Sequence, residues 1–213
     1  MNEVFDTLRS PERRLILNYL EADQNAVGSE LIKHLEEQED VSENLSFNLH
    51  HTHLPKLRDR GWIDYDDRHG SVEDYDLRYE INPDDTKDSI LSDYMKQSLG
   101  QENEDLNELF DVLKKPERRR TIYWLRKEDN KSNLSQIATY LASDKSAAGT
   151  SFEPAEDEIL KAKIGLLHQE IPALEDAGIV DYDDKTEKIS LTDEYSSKDN
   201  LLIEFLEEAY EQS

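Results

Sequence analysis

Cysteine is absent from the 213 residues, which excludes disulfides and thiolate metal sites. No apolar run approaches the roughly 18 residues that a membrane-spanning helix needs, so no membrane role is expected. The opening MNEVFDTLRS lacks the basic start and apolar core of a signal peptide, and a cytoplasmic location is expected. Nucleophile motifs, phosphate loops and the H-E-x-x-H metal pattern are missing too. The expectation is therefore a non-enzyme that needs no cofactor. Positive charge is scarce: 25 Lys plus Arg face 50 Asp plus Glu, a net of -25.

The acidic excess is spread evenly. Residues 1–100 hold 23 acids and 11 bases, a net of -12, and residues 101–213 hold 27 and 14, a net of -13. An acidic tail would be lopsided, so the charge belongs to the whole surface. High charge is one signature of disorder, but the regular apolar pattern below argues against it. Adaptation to high salt fits better, because dense carboxylates keep a chain hydrated while salt screens their repulsion. Mimicry of DNA charge is a third reading. Apolar residues make up 36%, enough for small cores but not for one large one.

What the chain does contain is a repeat. VFDTLRSPERRLILNYL (4–20) returns as LFDVLKKPERRRTIYWL (109–125), HLPKLRDRGWIDYDD (53–67) as EIPALEDAGIVDYDD (170–184), and KDSILSDYM (87–95) as KDNLLIEFL (198–206). Three blocks in one order indicate a duplicated domain. The offset grows from 105 to 117 between the first two blocks, and SDKSAAGTSFEPAED accounts for the insertion as a loop. The expected domains are 1–100 and 101–213.

Each copy reads the same way. A helix starts at Pro11 or Pro116, where a missing N–H costs nothing, and Ser10 is placed to cap the first of these. Its apolar face is Leu15, Ile16, Tyr19 and Leu20. A second helix covers 29–37 or 134–142, and a third covers 43–60 or 157–177, ended by Gly61 or Gly178. WIDYDD and IVDYDD alternate as strands. Turns at 68–70 and 185–188 lead to return strands in SVEDYDLRYEI and ISLT, and an apolar helix closes each copy. Trp62 and Trp124 fall in apolar patterns and read as core. The expected class is mainly α with small β wings (α+β), as two tandem winged helix-turn-helix domains from an internal duplication.

The segments LFDVLKKPERRRTIYWL and HLPKLRDRGWIDYDD resemble the winged-helix domains common in haloarchaeal proteins, which are read as transcription regulators. The second segment is also similar to the end of the recognition helix and first wing strand of arsenical-repressor-type and multiple-antibiotic-resistance-type regulators. The resemblance implies fold and class: a DNA-binding transcription regulator of a halophilic archaeon, with double-stranded DNA as partner. The competing expectation is a winged-helix module that docks a protein, such as transcription machinery, without touching DNA.

In helix-turn-helix proteins the third helix enters the major groove and the wing lies along the backbone or minor groove. Residues 45–61 carry a net of +2, whereas 162–178 carry -2. The first copy is therefore the expected DNA reader and the second the expected protein-docking copy. Leu54 and Leu57 face the core by spacing, which leaves Asn48, His51, Thr52, Pro55 and Lys56 outward. Asn suits adenine and Lys suits guanine. The DNA-contact candidates are Asn48, His51, Thr52, Lys56 and Arg58, with Arg68 and His69 on the wing. Pro55 and Pro172 interrupt the helix at equivalent places and read as a kink belonging to the fold.

Arg13, Arg14, Arg118 and Arg119 sit in first helical turns, where cations oppose the macrodipole. Pairing with carboxylates such as Asp6 and Glu12 is one explanation, and phosphate contact is the other. His50 and His53 are spaced i, i+3, but no cysteine supports them and no metal is expected. The last helix aligns Leu201, Leu202, Phe205 and Leu206 on one face. That stripe, like Ile90, Leu91, Tyr94 and Met95 in the first copy, is a candidate homodimer surface, a candidate pairing surface within the chain, or simply a stripe covered by its own domain.

Overall fold

A computed structural model describes residues 2–23, 25–38, 44–66, 71–80, 90, 93, 103–143, 154–197 and 200–211. It is mostly helical with two small antiparallel sheets, an α+β chain. Two compact units form, Glu3–Phe110 and Asp111–Ser213. The division falls within a helix, Asn103–Leu113, later than the boundary expected after residue 100.

The first unit opens with α1 (Asn2–Leu8) and α2 (Pro11–Asp23), followed by β1 (Asn25–Val27) and α3 (Gly28–Glu36). Pro11 begins α2 as expected, and Ser10 Oγ accepts from the Arg13 amide at 3.4 Å. Ile16, Leu17 and Leu20 of α2 are fully buried, while Leu15 and Tyr19 are half-buried, so the inward face is turned slightly from the one the spacing gives. Tyr19 instead stacks on His34 of α3 at 4.6 Å between ring centres.

The third helix, α4, runs through Leu45–Asn48, a π-helical turn Leu49–His53 and Leu54–Asp59. The wide turn answers the proline problem. In an α-helix the Pro55 ring would collide with the carbonyl four residues back. Here the Leu54 amide reaches back to Leu49 O, one residue further, and the helix continues with a local bulge. Leu49, Leu54 and Leu57 pin its inner side to the core. Gly61 then ends it at φ 69°, in the left-handed region that glycine enters freely.

β2 (Ile63–Tyr65) and β3 (Asp76–Tyr79) form the hairpin that the alternation predicts, and β1 adds a third strand in the order β1-β3-β2. Ala26 lies opposite Leu77 and Tyr65 opposite Leu77 from the other side. Two corrections apply. β1 has only three residues, too few for alternation to show, and was not expected. Part of the expected return strand is a 3₁₀ turn, Val72–Asp74. That turn presses on the start of α3: the Gly28 amide donates to Tyr75 O at 2.8 Å, and a Cβ at Gly28 would fall 1.6 Å from Val72 O. Ile90 is buried, while Leu91, Tyr94 and Met95 lie outside the described residues.

The second unit repeats the plan. The helix dividing the units, α5 (Asn103–Leu113), leads to α6 (Pro116–Lys127), β4 (Lys131–Asn133) and α7 (Leu134–Ser143). The third helix, α8, again has three segments: Glu156–Gly165, a π-helical turn Leu166–Glu170, and Ile171–Asp176. β5 (Val180–Asp183) and β6 (Lys188–Leu191) complete a sheet in the order β4-β6-β5. A short α9 (Asp193–Ser196) and the closing α10 (Leu201–Glu211) follow. α10 packs on α6, with Tyr210 5.1 Å from Tyr123 between ring centres. Leu202, Phe205 and Leu206 are buried within this unit and Leu201 is half-buried. The stripe proposed for dimerisation is thus mostly buried in the folded chain, on a helix that α6 also holds through Arg126 Nε, 3.5 Å from the Glu207 carboxylate.

No helix among the described residues is long and apolar enough to cross a membrane.

Candidate nucleic-acid interface

The sequence candidates on α4 separate into two groups. Asn48, His51, Thr52, Pro55 and Lys56 recur at helical spacing and form one stripe that is exposed or half-buried. The stripe lies away from Leu49, Leu54 and Leu57, each 0% exposed. Phe47 joins it with 63% exposure and contacts His51, ring centres 4.4 Å apart. Arg58 is elsewhere: its guanidinium lies 4.4 Å over the Tyr65 ring of β2, a cation–π contact that ties α4 to the hairpin. Lys56 pairs with Asp6 of α1 at 3.5 Å, with both side chains about half exposed at 49% and 53%. Water screens such a pair strongly, so the ammonium remains exchangeable. Arg68 and His69 lie outside the described residues.

The histidines do not act as a set. His50 Nδ1 meets the Tyr75 hydroxyl at 2.5 Å, so Tyr75 links α4 to the strand side of the unit. His53 turns inward and is 8% exposed. Burial pushes its pKa down; Glu12 opposes this, while Arg13 and Lys56 reinforce it. No group of three or more metal-ligating side chains gathers among the described residues.

The arginine candidates face inward, a correction to the phosphate-contact expectation. Arg13 and Arg14 are 5% and 3% exposed, and Arg119 is 1% exposed. Arg13 donates to Asp6 O at 3.0 Å and Arg14 to Leu8 O at 2.7 Å. Arg119 donates to Leu113 O and Arg118 to Val112 O in the second unit. These carbonyls end the preceding helix, where acceptors lack intrahelical donors. The cations therefore sit at a helix C-terminus as much as at an N-terminus, which resolves the macrodipole conflict. Sequence reasoning missed this because the helix before each proline was not recognised. The signal was present in the repeated Phe5-Asp6 and Phe110-Asp111 blocks.

Arg118 also pairs with a carboxylate, as one of the two readings had it. Its Nε donates to Glu170 of α8 at 2.8 Å, and Lys115 lies 3.6 Å from the same carboxylate. Glu170 occupies the place of His53, 117 residues earlier. Lys163 of that third helix is held by Glu187 of the β5–β6 turn at 2.9 Å and by Ser135 Oγ at 3.3 Å. Leu160 and Ile164 are 58% and 51% exposed on this helix.

These features define a duplicated α+β domain in which a bulged third helix displays an outward stripe beside a three-stranded sheet. One family model matches the chain twice, over residues 5–73 and 110–190, and the protein belongs to that family, DUF7344, described as a domain of unknown function. No curated protein and no solved structure matches the chain.

Proposed function

We propose that the protein is a tandem winged-helix transcription regulator that binds double-stranded DNA at high salt through α4 of its first unit. Support for the winged-helix reading comes from the order helix, strand, helix, helix, strand, strand, and from the central place of the last strand in each sheet. The observation that carries the DNA reading is the α4 stripe. Asn48, His51, Thr52 and Lys56 present amide, imidazole, hydroxyl and ammonium groups along one outward face, anchored by Leu49, Leu54 and Leu57 behind it. Such groups read base edges when a helix lies in the major groove. In a protein of net -25, long-range attraction to DNA is absent, so affinity comes from these short contacts.

The second unit favours a different task. Its α8 holds Lys163 in an ion pair and exposes Leu160 and Ile164, which suits docking to a protein.

The test is selection of duplexes from a random library by the full chain in molar KCl, followed by anisotropy titration. Asn48→Ala with His51→Ala is expected to weaken the selected duplex by roughly tenfold or more, on the scale of one or two lost base contacts. Lys163→Ala is expected to leave it unchanged. If no duplex is enriched, the DNA reading fails and the docking reading gains.

A further inference from the structure

The second unit contains a cavity of about 310 Å³ between α7, α8 and the first turn of α6. This is the size at which small-molecule sites begin, about 300 Å³. Leu141, Ala142, Ala162 and Leu166 supply apolar walls, and Glu117 and Glu158 supply carboxylates.

The charge of the cavity follows from how its other ionic groups are employed. Lys161, also in the lining, faces Asp157 at 3.1 Å, with its side chain 77% exposed to solvent. Glu170 is neutralised by Arg118 and Lys115. Glu117 and Glu158 have no cationic partner among the described residues, and Glu158 accepts only the Ala155 amide at 3.1 Å. The cavity thus offers two unneutralised carboxylates beside an aliphatic wall.

Two of the residues that line this cavity are larger at the equivalent places of the first unit. Leu45 and Asn48 stand 117 residues before Ala162 and Gly165, and Leu45 is 7% exposed. A Cβ at Gly165 would meet nothing within 4 Å. The small residues of α8 open the cavity, and they belong to the second copy alone.

The geometry points to a binding site in the second unit for a small organic cation with a short aliphatic body, an alkylammonium in chemical class. The ammonium faces Glu117 and Glu158, and the hydrocarbon lies along Leu141, Ala142, Ala162 and Leu166. Because the cavity touches both α7 and α8, an occupant fixes the third helix against the second. Its service as an effector site for the regulator rests on the reading of the function given above; the binding itself does not.

The experiment is calorimetric titration of the full chain with n-hexylammonium in molar KCl, where diffuse attraction to an acidic surface is screened. Hexanoate is the control of opposite charge. Saturable binding of the amine, with none of hexanoate, is expected. Glu117→Gln is expected to weaken it roughly tenfold, the scale of one charged contact. Gly165→Phe, which fills the cavity while adding a better helix former, is expected to abolish it. Absence of saturable amine binding overturns the proposal. So does equal binding of hexanoate, or amine binding that both folded variants retain. DNA is absent from this titration, so its outcome is independent of whether α4 reads a duplex.

Discussion

The carboxylate of Glu170 accepts from Arg118 Nε at 2.8 Å, linking the start of α6 to the π-helical turn of α8. In the first unit the same two places hold Arg13 and His53, and both are buried. Neither Arg13 Nε nor His53 Nδ1 has a hydrogen-bond partner among the described residues. A carboxylate in one copy and an imidazole in the other give the two third helices different anchors.

Replacing Glu170 tests the first anchor. The pair is well shielded, with side-chain exposures of 12% and 9%, so Glu170→Gln leaves Arg118 a buried cation without its counter-ion. A loss of about 3 kcal/mol from the second unit is expected. Native-state hydrogen exchange reads the units separately, and protection in α6 and α8 is expected to fall while that of α2 and α4 holds.

The second anchor predicts a pH dependence. Desolvation lowers the His53 pKa below its ordinary value of 6.5, so the folded chain resists protonation there and the unfolded chain does not. Stability from this residue is complete above 6.5 and is lost as the pH falls from there toward the depressed folded value. Urea unfolding between neutral and mildly acidic pH in molar KCl is expected to show this loss in the first unit. His53→Glu, which gives Arg13 the acid that Arg118 already has, is expected to remove it. A slope unchanged by that variant would assign the effect to other groups.

Gly28 predicts a steric effect confined to one copy. A Cβ there would fall 1.6 Å from Val72 O and 2.7 Å from its carbon, both main-chain atoms that cannot swing aside. Gly28→Ala is expected to cost the first unit at least ~2 kcal/mol, as overpacking does. In the second unit Leu134 makes the corresponding bond, its amide donating to Glu187 O at 2.9 Å, because a plain turn replaces the 3₁₀ turn. Leu134→Ala there is expected to behave as an ordinary cavity-forming substitution.

Net charge predicts a salt requirement. With -25 on the chain and a mean hydropathy of -0.86, unscreened self-repulsion favours expansion. The melting temperature is expected to rise between dilute and molar KCl. Equal values at both salt levels would remove high salt as the reason for the acidic surface.

Much of this was legible in the residue string. The duplicated blocks, Pro11 and Pro116 at helix starts, Gly61 and Gly178 at helix ends, and the alternation in β2 and β5 all act over a few residues, where local sterics and periodicity decide. The outward placement of Asn48, His51, Thr52 and Lys56 followed from the same arithmetic.

Tertiary structure decided what spacing alone leaves open. β1 and β4 are three residues long and become strands only because β3 and β6 offer them free edges. Arg13, Arg14 and Arg119 turn inward because helix-ending carbonyls await them. Leu202, Phe205 and Leu206 are buried and Arg58 lies over the Tyr65 ring, since parts of the chain distant in sequence arrive there. The cavity beside Gly165 arises where three helices meet around small side chains. Sequence determined which segments are helix or strand and which faces are apolar, because those properties are local. Which partner each face and each charge finds depended on contacts between residues far apart in the chain, and folding alone brings those together.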